Sequence, residues 1–449
     1  MTAARDGDAV FDEVFAAMRD DAVGPGHGAE LYERRGAFLE VSEDEQGERV
    51  LEAAERGFAA RLFRGGRVAF AAAGAEDARR LPERVRTLLP RARTRRGARA
   101  AGVLPGESTE RAAAAAPSAA DEAQARGLVA AFRAAVAAAG ERAVSVREVA
   151  VTVGERTERL ATSNGRDAAW TSRSASLVAT VVGRAGGGRF SARVVGAAGT
   201  AEELPVARLA HHAVDRVLLP LVGRPMTHAR ADLLLDPHVA AHLIARVAPL
   251  FFGDSEEALL AARTRGGLDT LAAPIVSLVD DVAAPGGLVR TARDGEGTPK
   301  RRVVVLERGV PAARLTDVAA AARRETPPTG NAMRRSWTEP PAIGVTNLYV
   351  DPSPGVSPLD LLRSVEKGLY AAVLVERPDV DVVADRFRLV VAGYLLERGR
   401  ASERVSESVV AGRLSELLRG IAAIGDDLKF VAGAGGGVGC PTLYVPRWK

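Results

Sequence analysis

Residues 231–254 read ADLLLDPHVAAHLIARVAPLFFGD. Asp236 followed by Pro237 is a helix start: a carboxylate accepts from the first unpaired backbone N–H groups, and proline gives up an N–H that would have no partner anyway. The spacing predicts a helix over residues 237–247. His238 and His242 stand four apart on it, so both imidazoles project from one face. Two histidines at that spacing are competent zinc geometry. Hydrolysis at such a metal also needs a Glu beside the first His to take a proton from the bound water, and Val239 stands there instead, with no third ligand evident. The pair reads as ordinary helix-face histidines, with a relocated metal site at His238 and His242 as the alternative.

Upstream, Val10, Phe11, Val14, Phe15 and Met18 recur at helical spacing and predict an opening amphipathic helix. AELYE and AFLEVSEDE read as two strands. GFAARLFRGGRVAFAAAG reads as a hairpin around Gly65-Gly66. Helices are expected near residues 76–89 and 121–139. Between them, residues 90–117 form an Arg/Ala-rich stretch with five Arg between positions 91 and 99, read as a solvated insertion. SVREVAVTVGE, TERLATSNGRDAAWTS, SASLVATVVGR and RFSARVVG predict an antiparallel meander turning at Asn164-Gly165 and Gly186–Gly188. A helix near 202–218 closes it. His211 and His212 lie about 100° apart around that helix, poor for holding one ion, and a surface or interface role is expected. Residues 221–225 resemble a linker, which places a domain boundary near Arg224. Beyond it, short strands and loops are expected, with a second helix near 358–368 capped by Ser357 ahead of Pro358.

A chain of 449 residues is long for one core, so two domains are expected, 1–224 and 225–449. The net charge of +4 suggests nucleic acid, but only four of the 61 basic residues are Lys (Lys300, Lys367, Lys429 and Lys449). Abundant Arg and Ala read as the bias of a GC-rich genome. No aromatic residue interleaves the arginines of the insertion to make a stacking platform, so nucleic-acid binding is not expected. The single Cys440 rules out an internal disulfide framework and fits a reducing compartment. No run approaches the roughly 18 apolar residues of a membrane span, and the start lacks a signal-peptide layout. A cytoplasmic protein with no membrane association is expected.

Three further motifs invite chemistry. The glycine run at 433–439 would cradle phosphate only if a helix followed it. Cys440-Pro441 instead leads into a strand pattern, so a flexible shortened loop is expected. Thr329-Gly330-Asn331 with Arg334 and Arg335 is either a turn or a cleft lining that binds peptide backbone or carboxylates. Glu296-Gly297 reads as structural.

Taken in order, Glu296-Gly297-Thr298-Pro299, VVVLERGVPAARLTD, Thr329-Gly330-Asn331 with Arg334-Arg335, TNLYVDPSPGVSPLDLLRSVEKGLY and Ile424–Leu428 ahead of Pro441–Leu443 resemble the TldD/TldE (PmbA) family of peptidases, known for maturing ribosomal peptide precursors. Gly295 replaces the usual second acidic residue before Glu296, and the N-terminal half matches more loosely, chiefly in GFAARLFRGGRVAFAAAG. The resemblance implies an α+β protein: an N-terminal α/β domain with an antiparallel sheet, then a mostly antiparallel β domain. Catalytic TldD-type members carry a His-Glu-x-x-x-His helix and a later Cys as zinc ligands. Anchored on Gly253-Asp254, those helix positions fall on Ile244, Ala245 and Pro249, none of which ligates zinc, and Pro249 would interrupt the helix. The cysteine-bearing loop is shortened here, and Cys440 abuts the strand beyond it.

The resemblance therefore implies a metal-free, TldE/PmbA-like subunit, with zinc in a TldD-like partner or a dimer with itself, holding an extended peptide by sheet-edge hydrogen bonds. Two alternatives remain: an autonomous peptidase with a metal at His238 and His242, and a peptide-binding protein without a peptidase partner.

Overall fold

In the computed structural model, residues 2–22, 24, 26–94, 119–140, 143–226, 231–255, 260 and 270–448 are described. Most of the Arg/Ala-rich insertion lies outside them.

The N-terminal half is one six-stranded antiparallel sheet in the order β3-β2-β1-β4-β5-β6. Its strands are β1 (Gly28–Asp44), β2 (Gly47–Arg64), β3 (Arg67–Gly74), β4 (Val144–Thr162), β5 (Asp167–Ala185) and β6 (Gly188–Ala198). The expected hairpin and meander are both present, with Gly65 and Gly66 at φ +59° and +82°, the conformation a two-residue hairpin turn requires. The two strands expected at AELYE and AFLEVSEDE are one 17-residue strand. Gly36 does not break it because the residue is paired on both sides, with Glu55 and with Arg156.

Alternation along these strands decides what each face meets. Leu31, Leu39 and Val41 of β1, Phe58, Ala60 and Leu62 of β2, and Val149 and Val151 of β4 bury against helices. These are α1 (Thr2–Arg19), α2 (Leu81–Leu88), α3 (Ala119–Gly140) and α4 (Val206–Val222). The intervening residues Glu30, Tyr32, Arg34, Arg61 and Glu158 point to the other face and meet the C-terminal half. The expected helix at 76–89 starts as a tight 3-10 turn over Ala75–Arg80 and becomes α-helical where Pro82 occupies its first turn. The helix expected at 202–218 runs over Val206–Val222 instead, because Pro205 sits at its N-cap. It consumes part of the expected linker. Arg224 then exchanges backbone hydrogen bonds with Arg404 and Ser406, so the connection is held against the C-terminal half.

That half contains two sheets around one helix, α5 (Pro237–Val247). The first sheet uses β7 (Ala231–Leu235), the second β8 (Leu278–Asp280), β9 (Val303–Glu307) and β10 (Val310–Pro311), and a small pair is β11 (Ala332–Met333) with β12 (Ala342–Ile343). Then come β13 (Asn347–Val350), β14 (Lys367–Leu374), β15 (Asp379–Asp381), β16 (Arg386–Glu397), β17 (Arg400–Gly412), β18 (Ala423–Ile424), β19 (Lys429–Gly433), β20 (Gly436–Cys440) and β21 (Leu443–Trp448). One sheet runs β15-β16-β14-β7-β21-β18 with β17 beside β16, the other β10-β9-β8-β13-β20-β19. Pairing is mostly antiparallel, except β14 with β7 and β13 with β20. Val239, Ala240, Leu243, Ile244 and Val247 of α5 bury in the common core of both sheets.

Two expectations here need correction. The helix at Pro358–Ser364 is shorter than 358–368, since β14 begins at Lys367, and Ser357 makes no side-chain cap bond. The glycine run is an ordered hairpin of β19 and β20, turning at Ala434-Gly435. Gly437 lies in the sheet beside Asn347, where any side chain would strike the Asn347 amide. Among the described residues no helix is long and apolar enough to cross a membrane.

Candidate functional site

A cavity of about 740 Å³ lies where the N-terminal sheet edge meets the C-terminal half. Two helices build its interior. On α5, the Asp236 carboxylate caps the helix by accepting from the His238 N–H at 2.8 Å, and accepts from the Tyr370 hydroxyl at 2.6 Å. Those two bonds fix where the helix begins, and therefore which of its residues face the cavity: His238, His242, Ala245 and Arg246, with Pro249 just beyond it. On α4, Arg208, His212 and Arg216 recur every four residues, with Asp215 beside them, and line the facing wall.

The packing brings three histidines together. The His212 and His238 rings are 4.0 Å apart between centroids, and those of His238 and His242 are 4.6 Å apart at 80°. Burial, reinforced by Arg216, pushes the His212 imidazole down to about 3 and the His242 imidazole down to about 4; burial, reinforced by the neighbouring His212 and His242 and then by Arg216, holds His238 well below its ordinary value. All three are neutral at pH 7. His212 Nε2 is buried with no hydrogen-bond partner among the described residues. Burial raises the carboxyls of Asp215 and Asp236, while the Arg216 guanidinium is lowered by burial alone. His211, by contrast, is exposed and bonds the Ala207 carbonyl. Both members of the adjacent pair line the cavity, but only the His212 ring reaches the other histidines at the junction between the halves.

Two sheet edges run along the same cavity. β6 ends the N-terminal sheet and β19 ends one C-terminal sheet; Arg193–Ala197 of the first and Lys429–Gly433 of the second line the space. An edge strand presents unpaired N–H and C=O groups that an added strand can use.

The three degenerate zinc positions separate. Ile244 is buried in the core, whereas Ala245 and Pro249 contribute only carbon to the cavity wall, and the helix gives way to a 3-10 turn at Ala248–Phe251. Cys440 is fully buried within the β20 end of the core, its thiol pushed well above the ordinary range by burial and by Asp427. These residues do not fit a zinc ion. Among the described residues, no group of three or more His, Cys, Asp or Glu side chains is arranged as a metal site, the histidine cluster included.

The segment at 329–335 faces elsewhere. The Thr329 hydroxyl accepts from the Thr316 N–H at 2.7 Å, the Asn331 amide donates to Asp280 at 2.7 Å, and Arg334 donates to the Gly295 carbonyl and to Glu30. Gly330 holds φ +80°, and Arg335 is exposed. None of the five lines the large cavity. Glu296 accepts from Arg61 and from the Val318 N–H, so it ties β2 to the C-terminal half.

The order of motifs, this fold and the degenerate helix converge with two family models: the PmbA/TldA metallopeptidase C-terminal domain over residues 228–449 and its central domain over 110–221. The chain belongs to the PmbA/TldD family. Within it, a metalloprotease TldD homologue of Buchnera aphidicola is 28% identical over 167 residues, 37% of this chain and 34% of that protein. A metalloprotease of Methanocaldococcus jannaschii is 23% identical over 231 residues, half of each chain. The chain thus matches about a third of the length of the curated TldD homologue (34%). Among solved PmbA/TldD-type folds, TldE of Thermococcus kodakarensis superposes with a TM-score of 0.76 at 18% identity, over 98% of both chains. A Thermotoga maritima protein described as a modulator of DNA gyrase gives the same score and identity over 98% of this chain and 99% of that one.

Sequence reasoning missed His212, Arg208 and Arg216 as cavity residues. Their four-residue spacing was visible, but nothing in the sequence says which helix face meets which cavity.

Proposed function

We propose that this chain is a TldE-like, metal-free subunit that holds an extended peptide while a zinc-bearing, TldD-like partner cleaves it. The observation that carries the reading is the chemistry of Ile244, Ala245 and Pro249: aliphatic carbon and a proline stand where the family's zinc helix needs two imidazoles and a carboxylate. The cavity beside them supports the peptide role, because it is bordered by two sheet edges and a peptide adding to either gains main-chain hydrogen bonds with little sequence demand. Co-expression with a paralogue that retains an intact His-Glu-x-x-x-His helix tests it. A one-to-one complex is expected, with one zinc per complex that disappears when the paralogue's histidines are replaced. Stoichiometric zinc and peptide cleavage by this chain alone would overturn the reading. Peptide binding without any such complex would instead identify a stand-alone binding protein.

A second reading is an autonomous enzyme with a metal at His238 and His242: His212 packs beside this pair as a third neutral imidazole, although the three are not arranged as a metal site among the described residues. Replacing His238 and His242 with alanine decides it, since unchanged metal content and activity remove that model.

A further inference from the structure

The charges around the cavity are unbalanced. Arg216 lies beside the three histidines and, among the described residues, has no acidic partner; its one hydrogen bond among them is to the Arg193 carbonyl, at 2.9 Å. Lys429 approaches Asp427 only at 4.0 Å. Arg208, Arg246 and Arg377 add positive charge toward the mouth. Against them stand three acids. Glu376 is paired with Arg388 outside the cavity, at 3.1 Å. Asp236 is occupied by the α5 cap and by Tyr370, and Asp215 accepts from the Tyr394 hydroxyl at 3.3 Å. Among the lining groups is a buried imidazole nitrogen, His212 Nε2, with no partner among the described residues.

We propose that this cavity binds a carboxylate of the peptide, with Arg216 and Lys429 as its cationic partners and His212 as a hydrogen-bond donor. The inference rests on the peptide-binding reading and names the class of peptide: one that carries a carboxylate, at its C-terminus or on an acidic side chain, into the space between the β6 and β19 edges. Guanidinium and ammonium groups bond carboxylates more strongly than neutral donors do, and more so where water is excluded. A neutral imidazole offers one N–H and one acceptor nitrogen, so His212 can turn its N–H to the anion without taking up a proton. Burial is the first cause that holds the three histidines neutral, and an entering negative charge would counter a further cause, the nearby cations.

The test measures, by isothermal titration calorimetry, binding of an unlabelled, N-acetylated, unstructured Gly/Ser/Ala/Thr peptide to the full chain in three forms: free C-terminal carboxylate, C-terminal amide, and amide with one internal Asp. At least one carboxylate-bearing form is expected to bind roughly tenfold tighter than the neutral amide, the scale of a charge-assisted hydrogen bond. The first and third forms separate a terminal from a side-chain carboxylate. Arg216→Gln and Lys429→Gln should each remove that preference, and rising salt should weaken only the carboxylate forms. NMR titration of the unaltered chain is a readout independent of variant folding: the His212 pKa should rise when the preferred peptide is added. Equal binding of all three forms, with no change in the histidine titration, overturns the carboxylate site and leaves the peptide reading standing. No binding of any form overturns both.

Discussion

His212, His238 and His242 make a pH prediction, because the folded chain keeps them neutral. Between about pH 6.5 and pH 4, an unfolded chain takes up protons at these positions and the folded chain does not, with His212 held at about 3 and His242 at about 4. Stability conferred by the neutral rings is therefore complete above pH 6.5 and is lost as pH falls through that window. The buried carboxyls of Asp280 and Asp294, raised by burial to about 6 and about 7, slope the other way, but they are the same in any histidine variant. Urea midpoints between pH 7 and pH 4.5 should fall less in His212→Gln/His242→Gln than in the unaltered chain. Parallel curves for the two proteins would show that the histidines are protonated in the folded state. Gly57 offers a second test at this scale. A methyl there would sit 2.0 Å from the Trp337 ring, which packs across β2 from the other half, so Gly57→Ala should displace that ring and shift tryptophan emission to the red. Unshifted emission would mean that the ring does not seal this contact.

At the scale of elements, α5 depends on its first residue. Asp236 caps it and accepts from Tyr370 of β14, so it joins helix register to sheet position. Asp236→Ala should lower stability by about 1–2 kcal/mol, the range for loss of an N-cap with one further hydrogen bond, measured by urea unfolding. Tyr370→Phe should account for only part of that loss; a full-sized effect would place the stabilisation in the hydroxyl bond rather than the cap. The β19–β20 hairpin shows why composition misleads. Seven residues dominated by glycine look like a flexible loop, yet Gly436 and Gly437 are glycine because the Val345 and Thr346 carbonyls and the Asn347 side chain approach too closely for a Cβ. The requirement comes from a neighbouring strand that is remote in sequence, so the run alone could not announce it.

Across the whole molecule, the halves are joined by buried charge. Arg61 of β2 forms a two-bond pair with Glu30 and donates to Glu296 at 2.9 Å; Arg334 also reaches Glu30, and Arg34 donates to the Arg334 carbonyl at 2.8 Å. Although burial pushes the Glu30 carboxyl up, Arg61 and Arg334 outweigh it and hold the group below its usual range. Arg61→Met would leave two buried carboxylates short of a partner and should lower stability by about 3–5 kcal/mol, read from denaturant unfolding. A loss below about 1 kcal/mol, the level of exposed pairs, would show that water reaches the network. Because the cavity lies at the same junction, the variant should also weaken peptide binding more than Asp236→Ala does.

Much of this architecture was legible locally. Period-two alternation declared the antiparallel N-terminal sheet, glycine pairs located its turns, and Asp236-Pro237 placed the start of α5, because strand facing, turn angles and capping are set by residues near one another in the chain. The absence of ligand chemistry at Ile244, Ala245 and Pro249 was likewise a matter of residue type. Tertiary structure alone decided that AELYE and AFLEVSEDE form one strand, that Thr329, Asn331 and Arg334 bond within the chain, and that His212 meets His238. Each of those outcomes depends on a partner far away in sequence, and neither periodicity nor propensity carries the distance between two helices that the chain folds face to face.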